Sequence, residues 1–414
     1  MTRFTRRDFL SQQAFGLGGL AMASLMKQEG LLAAPAKPLL QRRVFDLEPR
    51  SPVYRPQATA MISMFMQGGP SHMDLCDPKP ELAKHHLKDF TGDIHFDNVI
   101  QKSRKLFAGP WKFSKHGECG MDFSELLPHA GKIADDICLI RSMRTGVNNH
   151  GQSILALQTG KVTKGRPTLG SWVTYGLGSE SQDLPGFVTI SPSGTKGGPR
   201  NYANAFLPAA HQGTVIGRAG VPMTQAGVRY LVNERISLAE QRRRLAFLQT
   251  LNRRQVGTSG ADDELEATIE SFELAFRMQA SVPELADISR EPTGVHEAYG
   301  AEPGKVSFAN NCLLARRLIE RGVRFVQLFD WGWDHHGSSQ PEDMHTHLPV
   351  KTRQTERPIA ALLADLKQRG LLDETLVIWG GEFGRTAMSE KGDGRDHNPE
   401  GFTMWMAGGG VKGG

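Results

Sequence analysis

Paired thiols are missing from this 414-residue sequence. Its four cysteines, Cys76, Cys119, Cys138 and Cys312, make no C-x-x-C spacing, which weighs against a thiolate zinc site or a thioredoxin-type motif. No C-x-x-C-H haem attachment or cysteine ligand cluster supports a redox protein either. After the N-terminal segment the chain holds no run of 18 continuous apolar residues, the length at which a membrane-spanning helix becomes a candidate. An excess of one charge is lacking too. The 49 lysines and arginines face 44 aspartates and glutamates, a net of +5 that is too balanced for a nucleic-acid footprint. The basic run Gln241-Arg242-Arg243-Arg244 continues into no stripe and reads as a solvated helix face. What is present is an ordinary globular composition, 39% hydrophobic and 22% charged, which excludes global disorder. The 14 histidines stand out, because histidine is the usual proton switch and metal ligand.

The first 36 residues read as an address. Thr5-Arg6-Arg7-Asp8-Phe9-Leu10 precedes an apolar run from Ala14 to Met26, and Ala34-Pro35-Ala36 offers an A-x-A-like cleavage site. The adjacent arginines resemble a twin-arginine signal, which a receptor reads; an uncleaved N-terminal anchor is the other reading. Cleavage removes four basic and two acidic residues and leaves a net charge of +3. The expectation is a protein exported to the periplasm by the twin-arginine machinery, with no stable membrane span once cleaved and no nucleic-acid partner. Residues 37–57 form a Pro-rich linker.

From residue 58 the pattern is α/β. Ala58–Met66, Ile137–Ile140, Phe187–Ile190, Val323–Phe329, Leu376–Trp379 and Phe402–Ala407 read as strands. Helical spacing marks Phe123–Ala134, Ile154–Thr159, Leu169–Leu177, Leu238–Gln255, Glu264–Gln279, Phe308–Glu320 and Pro358–Lys367. Alternating strands and helices predict a mainly parallel sheet covered on both faces, with ligands outside the carboxyl ends of the strands.

Those strand ends carry the chemistry. After the first strand comes Gly68-Gly69-Pro70-Ser71-His72-Met73-Asp74. After Val323–Phe329 comes Asp330-Trp331-Gly332-Trp333-Asp334-His335-His336-Gly337, and after Leu376–Trp379 comes Gly380-Gly381-Glu382-Phe383-Gly384-Arg385. A later loop holds Gly394-Arg395-Asp396-His397-Asn398-Pro399. His72, Asp74, Asp334, His336, Glu382, Asp396 and His397 are therefore candidate metal ligands. Taken singly, each is also open to a reading as a turn residue or ion-pair partner. Imidazole with carboxylate suits Zn, Mn, Fe or Ni, and a richer carboxylate set suits Mg or Ca. Asn148-Asn149-His150-Gly151 opens a helix, whose free N–H groups favour an anion. There Asn149 and His150 are candidate catalytic groups, or an asparagine simply caps the helix.

The motifs G-G-P-S-H-M-D-x-x-D-P-K-P, N-N-H-G-x-x-x-x-x-x-T-G, W-D-x-H-G, L-D-E-T-L-V-I-W-G-G-E-F-G-R-T and G-R-D-H-N-P together resemble the domain-of-unknown-function 1501 family. That family is similar to sulfatases within the alkaline phosphatase superfamily. The resemblance runs from about Ala58 to the end. It implies an alkaline-phosphatase/sulfatase-like three-layer sandwich with a mainly parallel central sheet, divalent metal ions (Zn, Ca, Mg or Mn), and hydrolysis of a small-molecule or polysaccharide sulfate or phosphate ester. Carried over, Asp74 corresponds to the first-strand acidic ligand, Asp334 and His336 to the middle pair, Glu382 to a late acidic ligand, and Asp396-His397 to an Asp-His pair. His150 occupies the place where sulfatases carry a cysteine or serine nucleophile, so it becomes the acid/base or nucleophile candidate, with Arg385 as an anion clamp. A non-catalytic metal- and anion-binding protein on the same fold is the alternative. The resemblance also implies a further segment with histidine ligands beyond Gly414.

Overall fold

Runs of apolar residues that stop at glycine become the strands. The computed structural model describes residues 46–93, 103–194, 196–221, 236–259, 274, 276, 278, 282–337 and 342–414. The address over residues 1–36, and most of the helix expected over Glu264–Gln279, lie outside them. The strands are β1 (Ala60–Gln67), β2 (Phe113–His116), β3 (Met121–Ser124), β4 (Ile137–Met143), β5 (Phe187–Ile190), β6 (Thr214–Ile216), β7 (Phe325–Trp331), β8 (Thr375–Gly380), β9 (Gly384–Glu390), β10 (Gly394–Asn398) and β11 (Phe402–Ala407). The helices are α1 (His72–Leu75), α2 (Pro80–Lys84), α3 (His150–Thr159), α4 (Leu169–Leu177), α5 (Leu238–Ser259), α6 (Thr293–Tyr299), α7 (Phe308–Glu320) and α8 (Met344–Gln368).

Seven strands make one sheet in the order β4-β11-β8-β1-β7-β5-β6. Strands β8, β1, β7, β5 and β6 pair in parallel. Strand β11 runs antiparallel between β8 and β4, so β4 points the same way as the parallel set. The carboxyl ends of β1, β4, β5, β7 and β8 therefore share one rim, as the sequence requires of a mainly parallel α/β sheet.

Side-chain alternation along the central strands divides the core between two faces. Ile62, Met64 and Met66 of β1, with Val326 and Leu328 of β7, join the large core that includes Leu313 and Leu314 of α7 and Leu362 and Leu363 of α8. Phe65 and Phe329 face the other way and pack on Ile154 of α3, their rings edge to face at 5.6 Å. Helix α7 starts where Ser307 accepts from the Asn310 N–H at 3.1 Å, a standard N-cap. Among the described residues no helix is long and apolar enough to cross a membrane.

Three expectations need correction. The helix expected over Phe123–Ala134 is the end of a β2–β3 hairpin, followed by a 3-10 turn over Ala130–Asp136. Pro128 explains this, because it lacks an N–H and biases Leu127 away from helix. The helix expected over Pro358–Lys367 begins at Met344, capped by Asp343, and carries Pro349 and Pro358 inside it. The apolar stripe of Leu348, Ile359, Leu362, Leu363 and Leu366 is buried along its length and outweighs the two lost backbone bonds. The stretch read as a loop after β8 is the β9–β10 hairpin.

Candidate metal centre

The rim brings four side chains to one point. His150 opens α3 just after β4, Asp334 and His336 follow β7, and His397 lies on β10. One ligand atom from each lies within 4.8 Å of the others, a group that can hold a metal ion. His336, Glu390 and Asp396 form a second such group that shares His336.

Asp334 is the hub. Its Oδ2 lies 2.8 Å from His150 Nε2 and 2.9 Å from Lys196 Nζ. Its Oδ1 lies 2.8 Å from His336 Nε2, 3.1 Å from His397 Nε2 and 2.7 Å from Arg385 Nη2. Burial pushes the Asp334 carboxyl up, but hydrogen bonds from His150, His336 and His397 and the Arg385 charge hold it far below the carboxylate range.

The outer side of each ring fixes its tautomer. His150 Nδ1 faces Glu382 Oε1 at 2.7 Å. His336 Nδ1 faces Glu390 Oε2 at 2.5 Å, and His397 Nδ1 faces the Asn148 carbonyl at 2.6 Å. All three partners only accept, so each Nδ1 carries the hydrogen and a neutral ring turns an Nε2 lone pair toward Asp334. His336 Nε2 and His397 Nε2 stand 3.0 Å apart. Acceptors crowded on acceptors require positive charge among them. Protons supply part of it: burial lowers His150 and His336, yet their bonds to Asp334 leave both above the ordinary histidine value. His397 is lowered, by burial first and then by the charges of Arg385 and His150. A metal ion supplies it more completely, and imidazoles oriented by carboxylates and a carbonyl are the common surroundings of one.

Backbone packing holds these groups in place. Gly68 (φ +123) ends β1, and a Cβ there would lie 2.7 Å from the Asp334 nitrogen. The Gly68 N–H donates to both oxygens of Glu382, at 3.0 and 3.1 Å, and Glu382 is wholly buried. A Cβ on Gly394 would fall 1.9 Å from the His336 carbonyl carbon. Only glycine lets β10 approach His336 that closely.

The sequence model of the family described as "Protein of unknown function (DUF1501)" matches residues 58–414. The chain belongs to this family. No match was found among curated proteins. Among solved structures the chain is similar to the lipoteichoic acid synthase LtaP from Listeria monocytogenes, at 8% identity over 88% of this chain and 70% of that one, TM-score 0.37. It is similar to alkaline phosphatase from the Antarctic bacterium TAB5, at 9% identity over 86% and 92%, TM-score 0.34. It is also similar to the PsFucS1 sulfatase from Pseudoalteromonas sp., at 11% identity over 87% and 63%, TM-score 0.36.

In this member of the DUF1501 family the structure separates the residues singled out in the sequence. Asp334, His336 and His397 come together, and His150 joins them as a fourth group of the cluster. Asp396 lies with Glu390 beside His336. Glu382 and Arg385 stand behind: Glu382 holds His150, while Arg385, 1% exposed, donates to the carbonyls of Gly69 and Arg395 at 2.9 Å each, to the Gly68 carbonyl, and to Asp334. Asn149 accepts from the Gln152 N–H at 3.4 Å, capping α3. His72 and Asp74 belong to neither group. Asp74 is paired with Arg395.

His72 is buried on α1 with no hydrogen-bond partner for Nδ1. Burial, opposed by Asp77 and aided by Lys79 and Arg395, lowers it from 6.5 to about 4. The unfolded chain therefore takes up a proton between those values while the native chain does not, so stability falls as pH drops through this window. His72→Leu is expected to remove about 2–3 kcal/mol of the stability lost between pH 7 and pH 4.5. Urea unfolding at the two pH values checks this, and equal losses in wild type and variant would refute it.

Two groups went unnoticed in the sequence. Glu390 lies on the unrecognised hairpin. Lys196 follows β5 in a Gly-rich stretch, Gly194 to Gly198, and its own position just past a strand's carboxyl end was the available signal.

Proposed function

We propose that the chain is an exported, metal-dependent hydrolase of sulfate or phosphate esters. One observation carries the reading: three imidazoles with their Nδ1 hydrogens committed outward present Nε2, with a carboxylate, to one point on the open rim of a parallel sheet. His150, Asp334, His336 and His397 would hold the ion, while Glu390 keeps the Nδ1 hydrogen of His336 and so acts from outside the ligand set. Three imidazoles with one carboxylate favour zinc or iron over calcium or magnesium. A divalent ion there supplies Lewis acidity and lowers the pKa of water. The chain's own groups do the rest. Glu382, Glu390 and the Asn148 carbonyl hold the rings in the ligating tautomer. Arg385, turned inward, keeps Asp334 in place. Lys196, its side chain 39% exposed, stands at the mouth beside Asp334, where an ammonium meets an arriving ester anion. His150 serves here as a ligand, in the place a nucleophile would take. Export rests on the twin-arginine-type sequence at the N-terminus.

The test is elemental analysis of the purified full chain, followed by assay against aryl sulfates and phosphates. About one equivalent of a divalent metal, with turnover abolished by chelation and restored by that metal, is the expected result. A folded chain without metal would refute the reading. Metal without turnover on any ester would leave a binding protein.

A further inference from the structure

A cavity of about 850 Å³ opens beside the cluster, and Asp334 forms part of its wall. It is large enough for a drug-sized ligand, and the charges around it are unevenly matched. Lys351 is neutralised by Asp330, at 2.8 and 2.6 Å from its two oxygens. Lys305 pairs with Glu302, Glu342 with Lys391 at 3.7 Å, and Asp334 with Lys196 and Arg385. Two cations on the wall are left, Arg353 and Arg357, one turn apart on α8 and both exposed. Among the described residues Arg357 donates only to the carbonyls of Ala298 and Glu297, and none of them neutralises its charge. Arg353 has no ion-pair or hydrogen-bond partner among the described residues. The wall also presents apolar surface: Val306, Trp331 and Val350 are 52%, 52% and 39% exposed.

We infer that this cavity receives the part of the substrate beyond the scissile ester, and that this part is a ring carrying a second acid group, which Arg353 and Arg357 pair with. The inference rests on the cluster being the hydrolytic centre. A ring covers Trp331 and the two valines, and a carboxylate answers two guanidiniums that no described residue neutralises. A neutral ring would leave both charges unanswered.

Titration calorimetry of the full chain tests this with non-hydrolysable probes. Phenylphosphonate is compared with 4-carboxyphenylphosphonate and with the longer 4'-carboxybiphenyl-4-phosphonate. At least one carboxylated probe is expected to bind about tenfold or more tightly than its carboxyl-free counterpart, the size of one charge-assisted hydrogen bond. Arg353→Met is expected to erase that gain and leave phenylphosphonate affinity unchanged; because Arg353 bonds to nothing described, the variant should fold normally. No gain from the carboxylate at either length, or a gain that survives Arg353→Met/Arg357→Met, overturns the inference. If no phosphonate binds, the reading of the cluster fails instead. Terephthalate then tests the cavity alone: binding that Arg353→Met abolishes supports it, and no binding overturns it.

Discussion

Asp334→Asn is expected to yield a folded chain that purifies without divalent metal and hydrolyses no ester above background. The amide keeps the shape of the carboxylate but not its charge. Three Nε2 atoms, the Lys196 ammonium and the Arg385 guanidinium would then surround a neutral group, and a divalent cation placed among them would meet two unopposed positive charges. Losing an outer-shell partner of a ligating histidine weakens metal binding roughly 10–100-fold. Losing the one anion that all three rings share should exceed the upper end of that range. Glu382→Gln and Glu390→Gln supply the scale, since each disturbs the outer bond of one ring and should fall within it. Some stability is lost as well, because buried Arg385 is left without its anion, so the metal assay belongs beside a melting curve. Metal retained at one equivalent in Asp334→Asn, with a normal melt, would remove Asp334 from the site.

The fold was legible to the extent that burial followed a period. Leu169–Leu177 and Phe308–Glu320 match their observed bounds; in the second an apolar stripe at helical spacing behind the Ser307 cap leaves little choice, whereas the first buries Gly170, Ser171 and Thr174 instead of its apolar residues. The short apolar strands were legible for the same reason, and their carboxyl ends located the rim. The β9–β10 hairpin was not. Its buried residues include Arg385, Glu390 and Arg395, which are satisfied by charge pairing and carbonyls. No apolar alternation marks a strand buried in that way. The same blindness affected the site. Asp74 and Asp334 look alike in sequence, each an acidic residue just past a strand. One pairs with Arg395, 321 residues away, and the other faces three imidazoles from three elements. Which cation meets which carboxylate depends on long-range pairing that no local pattern records.

That distinction gives the last prediction. Asp74 and Arg395 are 2% and 1% exposed. Arg395 Nε and Nη2 donate to the two Asp74 oxygens at 2.8 and 3.1 Å, Ser71 donates to the same carboxylate, and the guanidinium lies 4.7 Å from the Phe107 ring centre. Asp74→Ala therefore strands a charge that water cannot reach, and is expected to cost about 3–5 kcal/mol, the range for breaking one side of a buried pair. Urea unfolding should show a lower midpoint at unchanged slope. Arg395→Met strands the carboxylate instead and should cost a similar amount. Asp74→Ala with Arg395→Met removes both charges and should recover a large part of either loss, since a buried pair contributes little net stability over apolar replacements. Metal content then separates the two roles open to Asp74. As an ion-pair partner it leaves the folded double variant with its full complement of metal; as a ligand it does not, however much stability the double variant regains.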